Sequence, residues 1–100
     1  MNQGYVYILT NPSMPGIVKI GKTTRSVSSR INELNTTGVP TPFVCIADFA
    51  CPSCDDLERS VHDALSYCRL SDAREFFKCD ATDAVERVGF HHREQVLLWL

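Results

Sequence analysis

Four side chains in this 100-residue chain are of a type and at a spacing that packing alone does not require: Tyr7, Lys19, Arg30 and Glu58. Tyr7 lies in Gly-Tyr-Val-Tyr-Ile-Leu-Thr, residues 4–10, two positions from Tyr5, so both rings share one face of an expected strand. Lys19 interrupts the apolar run Ile17-Val18-Lys19-Ile20. Arg30 adjoins the helical stripe Val27, Ile31, Leu34 instead of facing away from it, and Glu58 stands beside Leu57 with His62 one turn on. Each has an ordinary explanation: a core tyrosine with a wet hydroxyl, a snorkelling edge lysine, and a salt bridge or solvated charges. As a set, the phenol, ammonium, guanidinium and carboxylate match the needs of phosphodiester cleavage. One group activates water, cations neutralise developing charge, and a carboxylate holds a divalent metal.

Short elements must position these groups. Residues 4–10 and 17–20 read as an antiparallel hairpin joined by the turn-rich Asn11-Pro12-Ser13-Met14-Pro15-Gly16. That hairpin would bring Tyr7 and Lys19 close on one face in a suitable register. Ser26 caps a helix to about Asn35, and Gly38-Val39-Pro40-Thr41-Pro42 stops it. Residues 43–50 form a third strand, apolar on both faces except for Asp48 and so expected to be covered on both sides. A second helix spans about 53–68 on the stripe Leu57, Val61, Ala64, Leu65, Cys68. Residues 74–79 read as a short extended segment. Asp80 caps a third helix carrying Ala81, Ala84, Val85 and Val88 and ending at Gly89. Val96-Leu97-Leu98-Trp99-Leu100 is a last docked helix or an exposed patch, and is the expected surface for a homodimer or partner protein. The class is α+β in the order ββαβα(β)α, one domain over residues 1–100.

Composition bounds the function classes. At 44% hydrophobic and 22% charged residues, the chain can fold around one core and is not a disordered segment. No apolar run approaches a membrane span, and Met1-Asn2-Gln3-Gly4 lacks a secretory signature, so a cytoplasmic location is expected. Net charge is −2, which excludes a uniformly basic nucleic-acid binder. The charge is uneven: +3 over residues 1–47, −6 over 48–86 and +1 over 87–100. The bland interpretation is two solvated faces; the functional one is a basic face for a polyanion and an acidic one for a cation. Five cysteines, an odd number, speak against a disulfide framework. Cys51-Pro-Ser-Cys54 has the spacing of half a zinc site or a redox pair, but no second paired motif completes it, so zinc is not expected.

The string Tyr5-Val6-Tyr7-Ile8-Leu9-Thr10-Asn11-Pro12, then Val18-Lys19-Ile20-Gly21-Lys22-Thr23, then Arg30-Ile31-Asn32-Glu33-Leu34-Asn35, resembles the GIY-YIG nuclease superfamily, and within it the T5orf172/MUG113-like branch. Leu57-Glu58-Arg59 with His62, and Arg74-Glu75-Phe76-Phe77, fit the same branch. The chain departs from the founding motif: Tyr5 takes the glycine place, Val6 the isoleucine place, and Lys19 the first tyrosine of YIG.

The resemblance implies a small three-stranded antiparallel sheet flanked by helices, in a bacterial or phage-type protein. It implies a metal-dependent endonuclease acting on DNA, with one Mg²⁺ or Mn²⁺ on Glu58. Tyr7 would be the base or would orient the water, its high pKa lowered by Lys19 or its role shared with it. Arg30 would bind the scissile phosphate. Lys19, Gly21, Lys22, Arg25 and Arg30 would follow the DNA backbone. His62, Glu75 and Tyr5 are secondary candidates. A different class stays open, a catalytically weak nucleic-acid-binding or protein-interaction module on the same fold; metal-dependent turnover separates the two.

Overall fold

The computed structural model describes residues 2–35, 40–71 and 75–100. Its elements are β1 (Gly4–Thr10), β2 (Ile17–Thr23), α1 (Val27–Leu34), β3 (Val44–Cys51), α2 (Cys54–Ala64), a 3-10 turn (Ser66–Cys68), β4 (Phe76–Lys78) and α3 (Ala81–Leu98). The class is α+β, and the sheet is antiparallel with strand order β3-β1-β2-β4. It has four strands where three were expected, because the segment before Asp80 pairs Phe76–Lys78 with Ile17–Lys19. The Arg74 end of that expected segment and the Gly38-Val39 helix stop lie outside the described residues.

Local chemistry explains the boundaries. Asn11 builds the β1–β2 turn: its Oδ1 accepts from Ser13 N–H at 2.9 Å, and its amide donates to the Thr41 carbonyl at 2.8 Å. Gly16 has φ +78°, a conformation that side chains other than glycine's resist. The three helices start at Ser26, Ser53 and Asp80, whose side-chain oxygens accept from the N–H groups of Ser29, Asp56, and both Thr82 and Asp83.

β1 is a central strand, and its alternation divides the interior. Val6 and Ile8 pack with Val18, Ile20, Leu57, Val61, Phe77, Ala84 and Val88 beneath α2 and α3. Tyr7 and Leu9 pack with Val27 and Phe43 beneath α1.

Three further expectations are corrected. β3 is an edge strand, not one covered on both sides: Val44, Ile46, Asp48 and Ala50 are exposed. Its apolar character serves Ala47 and Phe49, which reach the α2–α3 core, and Cys45, which reaches the α1 core across a bulge in the β1–β3 ladder between Ile8 and Leu9. The second helix ends at Ala64 and tightens into the 3-10 turn. The third helix runs through Gly89 to Leu98. Two polar anchors hold its second half. The Gln95 amide donates to the Ser53 carbonyl at 2.9 Å and accepts Ser53 N–H at 3.2 Å, while His92 Nε2 donates to the Ala50 carbonyl at 2.8 Å. Leu97, Leu98 and Leu100 are exposed at its end. No described helix is long and apolar enough to cross a membrane.

Candidate active site

The β1–β2 register pairs Tyr7 with Gly21 and Leu9 with Lys19, so Tyr7, Gly21 and Lys19 share the α1 face. Gly21 is the pivot. A Cβ there would overlap the Tyr7 hydroxyl and lie 2.6 Å from its Cζ and 2.8 Å from Glu75 Oε2. The missing side chain is the space in which the phenol and the carboxylate meet.

Glu75 precedes β4, and its carbonyl accepts Ile20 N–H at 3.0 Å, which extends the ladder to the edge of that space. Lys19 Nζ lies 3.3 Å from Glu75 Oε2 and 4.9 Å above the Phe76 ring. From α1, Arg30 Nε donates to the Tyr7 hydroxyl at 3.4 Å, and its Nη1 meets Glu33 Oε2 at 3.2 Å.

From the other side of the sheet, α2 brings Glu58 and His62 around the edge of β2. His62 Nε2 donates to the Ile20 carbonyl at 2.9 Å, and the ring packs 5.0 Å from Phe77. Burial holds its pKa below the ordinary value, with the Ile20 bond opposing. His62 fastens α2 to β2, which is a structural task. Glu58 presents a buried Oε2 with no hydrogen-bond partner among the described residues. Burial, then the charge of Glu75, pushes its carboxyl from 4.5 up to about 7, against the pull of Lys22. The Tyr7 hydroxyl is also pushed above its ordinary 10, by burial first and then by the charge of Glu75, while the Arg30 hydrogen bond pulls it down. The expected lowering of Tyr7 by Lys19 is therefore corrected: Lys19 is paired with Glu75, and burial outweighs the pull of Arg30 on the phenol.

Next to this cluster lies a cleft of about 270 Å³, lined by Lys22, Thr23, Thr24, Arg25, Arg30 and Asp55. Lys22 is ion-paired with Asp55, which also accepts from the Asn2 amide at 2.7 Å. That pairing raises the Lys22 pKa and lowers that of Asp55. Arg25 pairs with Glu33.

The structure thus brings Tyr7, Lys19, Arg30 and Glu75 together about Gly21, with Glu58 in electrostatic reach of Tyr7 and Glu75. Lys22 and Arg25 line the adjoining cleft, while Tyr5 sits further along β1, between Thr23 and Ala50. Sequence reasoning missed Asp55, which reads as an ordinary acid in the first turn of a helix; its signal was the charge of Lys22 on a neighbouring strand. The Cys51 and Cys54 thiols are buried in the core, and Cys51 Sγ donates to the Gly4 carbonyl at 3.6 Å. Among the described residues, no three His, Cys, Asp or Glu side chains converge as a metal cage.

A family model described as T5orf172 domain matches residues 4–91. The chain belongs to the T5orf172 family. This is a nuclease-like, DNA-binding family, in keeping with the GIY-YIG resemblance of the motifs. No curated protein and no solved structure matches the chain.

Proposed function

We propose that this T5orf172 protein is a metal-dependent endonuclease that hydrolyses DNA phosphodiester bonds at the Gly21 cluster. The observation that carries this reading is the unpartnered, buried Oε2 of Glu58, set against a second carboxylate, Glu75, beside the Tyr7–Arg30 pair. An oxygen-only donor set of one or two carboxylates fits Mg²⁺ or Mn²⁺, whose other positions go to water and phosphate oxygens. Bound there, the cation would polarise the phosphate and acidify a water.

The chain's own residues supply the rest. Arg30 turns its guanidinium from Glu33 and the Tyr7 hydroxyl to the scissile phosphate and neutralises charge developing on it. Tyr7 orients the attacking water and takes its proton as the cation and Arg30 offset the burial and the carboxylate charges that hold the phenol protonated. Lys19 holds the Glu75 carboxylate in place and lends positive charge to the site. Gly21 keeps room for the phosphate beside the phenol, and Lys22 and Arg25 meet neighbouring phosphates.

One observation favours a second reading, a binding module on the same fold: the Tyr7 hydroxyl is pushed up, away from the range of a base at neutral pH. A cleavage assay on single-stranded, duplex and branched DNA with Mg²⁺, Mn²⁺ or EDTA separates the two. The nuclease reading expects turnover that EDTA abolishes and that falls at least ~100-fold in Tyr7→Phe and in Glu58→Gln. Folded protein that binds DNA and cuts none of the three substrates with either metal selects the binding module.

A further inference from the structure

The α1 face of the sheet is only partly covered. α1 closes over Tyr7, Leu9 and Phe43, and Tyr5 at the start of β1 is not part of that cluster. There Tyr5 stands between two small neighbours, Thr23 on β2 and Ala50 on β3, and keeps 36% of its surface exposed. Its ring borders a cleft of about 540 Å³ whose other walls include Gly4, Thr24, Ala50 and Pro52. Among the described residues, none lining this cleft is charged. Thr24 lines both this cleft and the one holding Lys22, Arg25, Arg30 and Asp55, so the two adjoin. Arg30 in turn contacts the Tyr7 hydroxyl. The Gly21 cluster, a cleft with three cations and a neutral recess with an aromatic wall therefore lie in succession.

Those two stretches differ chemically in the way a nucleotide does. The cationic part matches phosphates; the uncharged part with an exposed ring matches the face of a base. A base inside a duplex has both faces covered by its neighbours, so only an unstacked base can use such a wall.

Resting on the DNA reading above, we propose that Tyr5 is a stacking platform for one unpaired base beside the scissile phosphate, making single-stranded or frayed DNA the substrate in preference to an intact duplex. The ring acts as a specificity determinant and takes no part in bond breaking.

The test measures binding in EDTA, where cleavage cannot interfere. A single-stranded oligonucleotide carries the fluorescent base 2-aminopurine at successive positions, and its duplex serves as comparison. The wild type is expected to bind the single strand more tightly than the duplex and to quench the probe at one position. Tyr5→Ala and Tyr5→Leu should lose that quenching and roughly 5- to 100-fold of single-strand affinity, the range for one lost base–aromatic stack. Tyr5→Phe, which keeps the ring, should retain both. Circular dichroism and an unchanged melting temperature establish that the variants are folded; should Ala unfold, the Leu and Phe pair decides alone. Wild-type affinity in Tyr5→Leu, loss in Tyr5→Phe equal to that in Tyr5→Leu, or duplex bound as tightly as single strand would overturn the proposal while leaving the DNA reading intact. A wild type that binds no DNA of either form would overturn both.

Discussion

Replacing Glu58 with Gln should stabilise the fold in alkaline solution and do little in acid. In the folded chain the carboxyl titrates near 7, against an ordinary 4.5. Between those values the folded state holds a proton that the unfolded chain has released, so stability falls as pH rises through that window and levels off above it. At 1.36 kcal/mol for each tenfold change, the full cost of ionising Glu58 is about 3 kcal/mol, reduced to roughly 2 because water reaches part of the carboxyl. Gln keeps the shape and carries no charge. Urea unfolding in EDTA at pH 5 and pH 8.5 measures the difference directly. For a chain of this size, with a slope near 1–1.5 kcal/mol per molar urea, the variant's midpoint should exceed the wild type's by about 1–2 M at pH 8.5 and nearly coincide with it at pH 5. Adding Mn²⁺ at pH 8.5 should raise the wild-type midpoint and leave that of the variant unmoved. Coincident midpoints at pH 8.5 would refute the claim that Glu58 is an uncompensated buried acid, and with it the reason for assigning a cation there.

Other substitutions probe different parts of the argument. Gly21→Ala places a methyl group against the Tyr7 hydroxyl and 2.8 Å from Glu75 Oε2, so DNA cleavage should fall by ~100-fold or more while the far-UV spectrum persists. Activity near wild type would show that the phenol can move freely. Gly89→Ala should stabilise by about 0.5–1 kcal/mol in a thermal melt, because the position is helical and a Cβ meets Phe49 at an ordinary 3.8 Å; destabilisation would mean that α3 does not run through it. His62→Ala should cost about 2–4 kcal/mol by chemical denaturation, since it orphans the Ile20 carbonyl and leaves a gap against Phe77. In the wild type, the depressed His62 pKa also lowers stability as pH drops below about 6.5, where the unfolded chain gains a proton that the buried ring resists; His62→Gln should flatten that limb of the pH profile.

The parts of the fold written in local chemistry were legible. Turn residues 11–16, the caps Ser26 and Asp80, and the stripe of α2 each carry their own physical cause within a few residues. What depends on long-range pairing was not. Gly89 looks like a helix stop because its propensity is poor, and only Gln95 and His92, anchored on Ser53 and Ala50, show why the helix continues. Residues 43–50 look doubly buried because apolar content does not say which neighbour lies beyond the strand. In the candidate site, residue type pointed to Tyr7, Lys19, Arg30 and Glu58, but nothing local sets the register that puts Gly21 opposite Tyr7. Glu75 became central only through that register, and Asp55 only through its approach to Lys22.

Among the described residues β3 leaves one backbone edge unpaired, and Val44 and Ile46 beside it are 50% and 40% exposed. Such an edge is a template for another chain's strand. Asp48 is the single charge in β3, and it lies directly across the ladder from Tyr7. A carboxylate on an open edge keeps copies of the same sheet from zipping together, yet here it also adds a negative charge to the strand next to the phenol. A neutral residue in its place would remove the edge's protection. Resistance to self-association is thereby tied to one side chain.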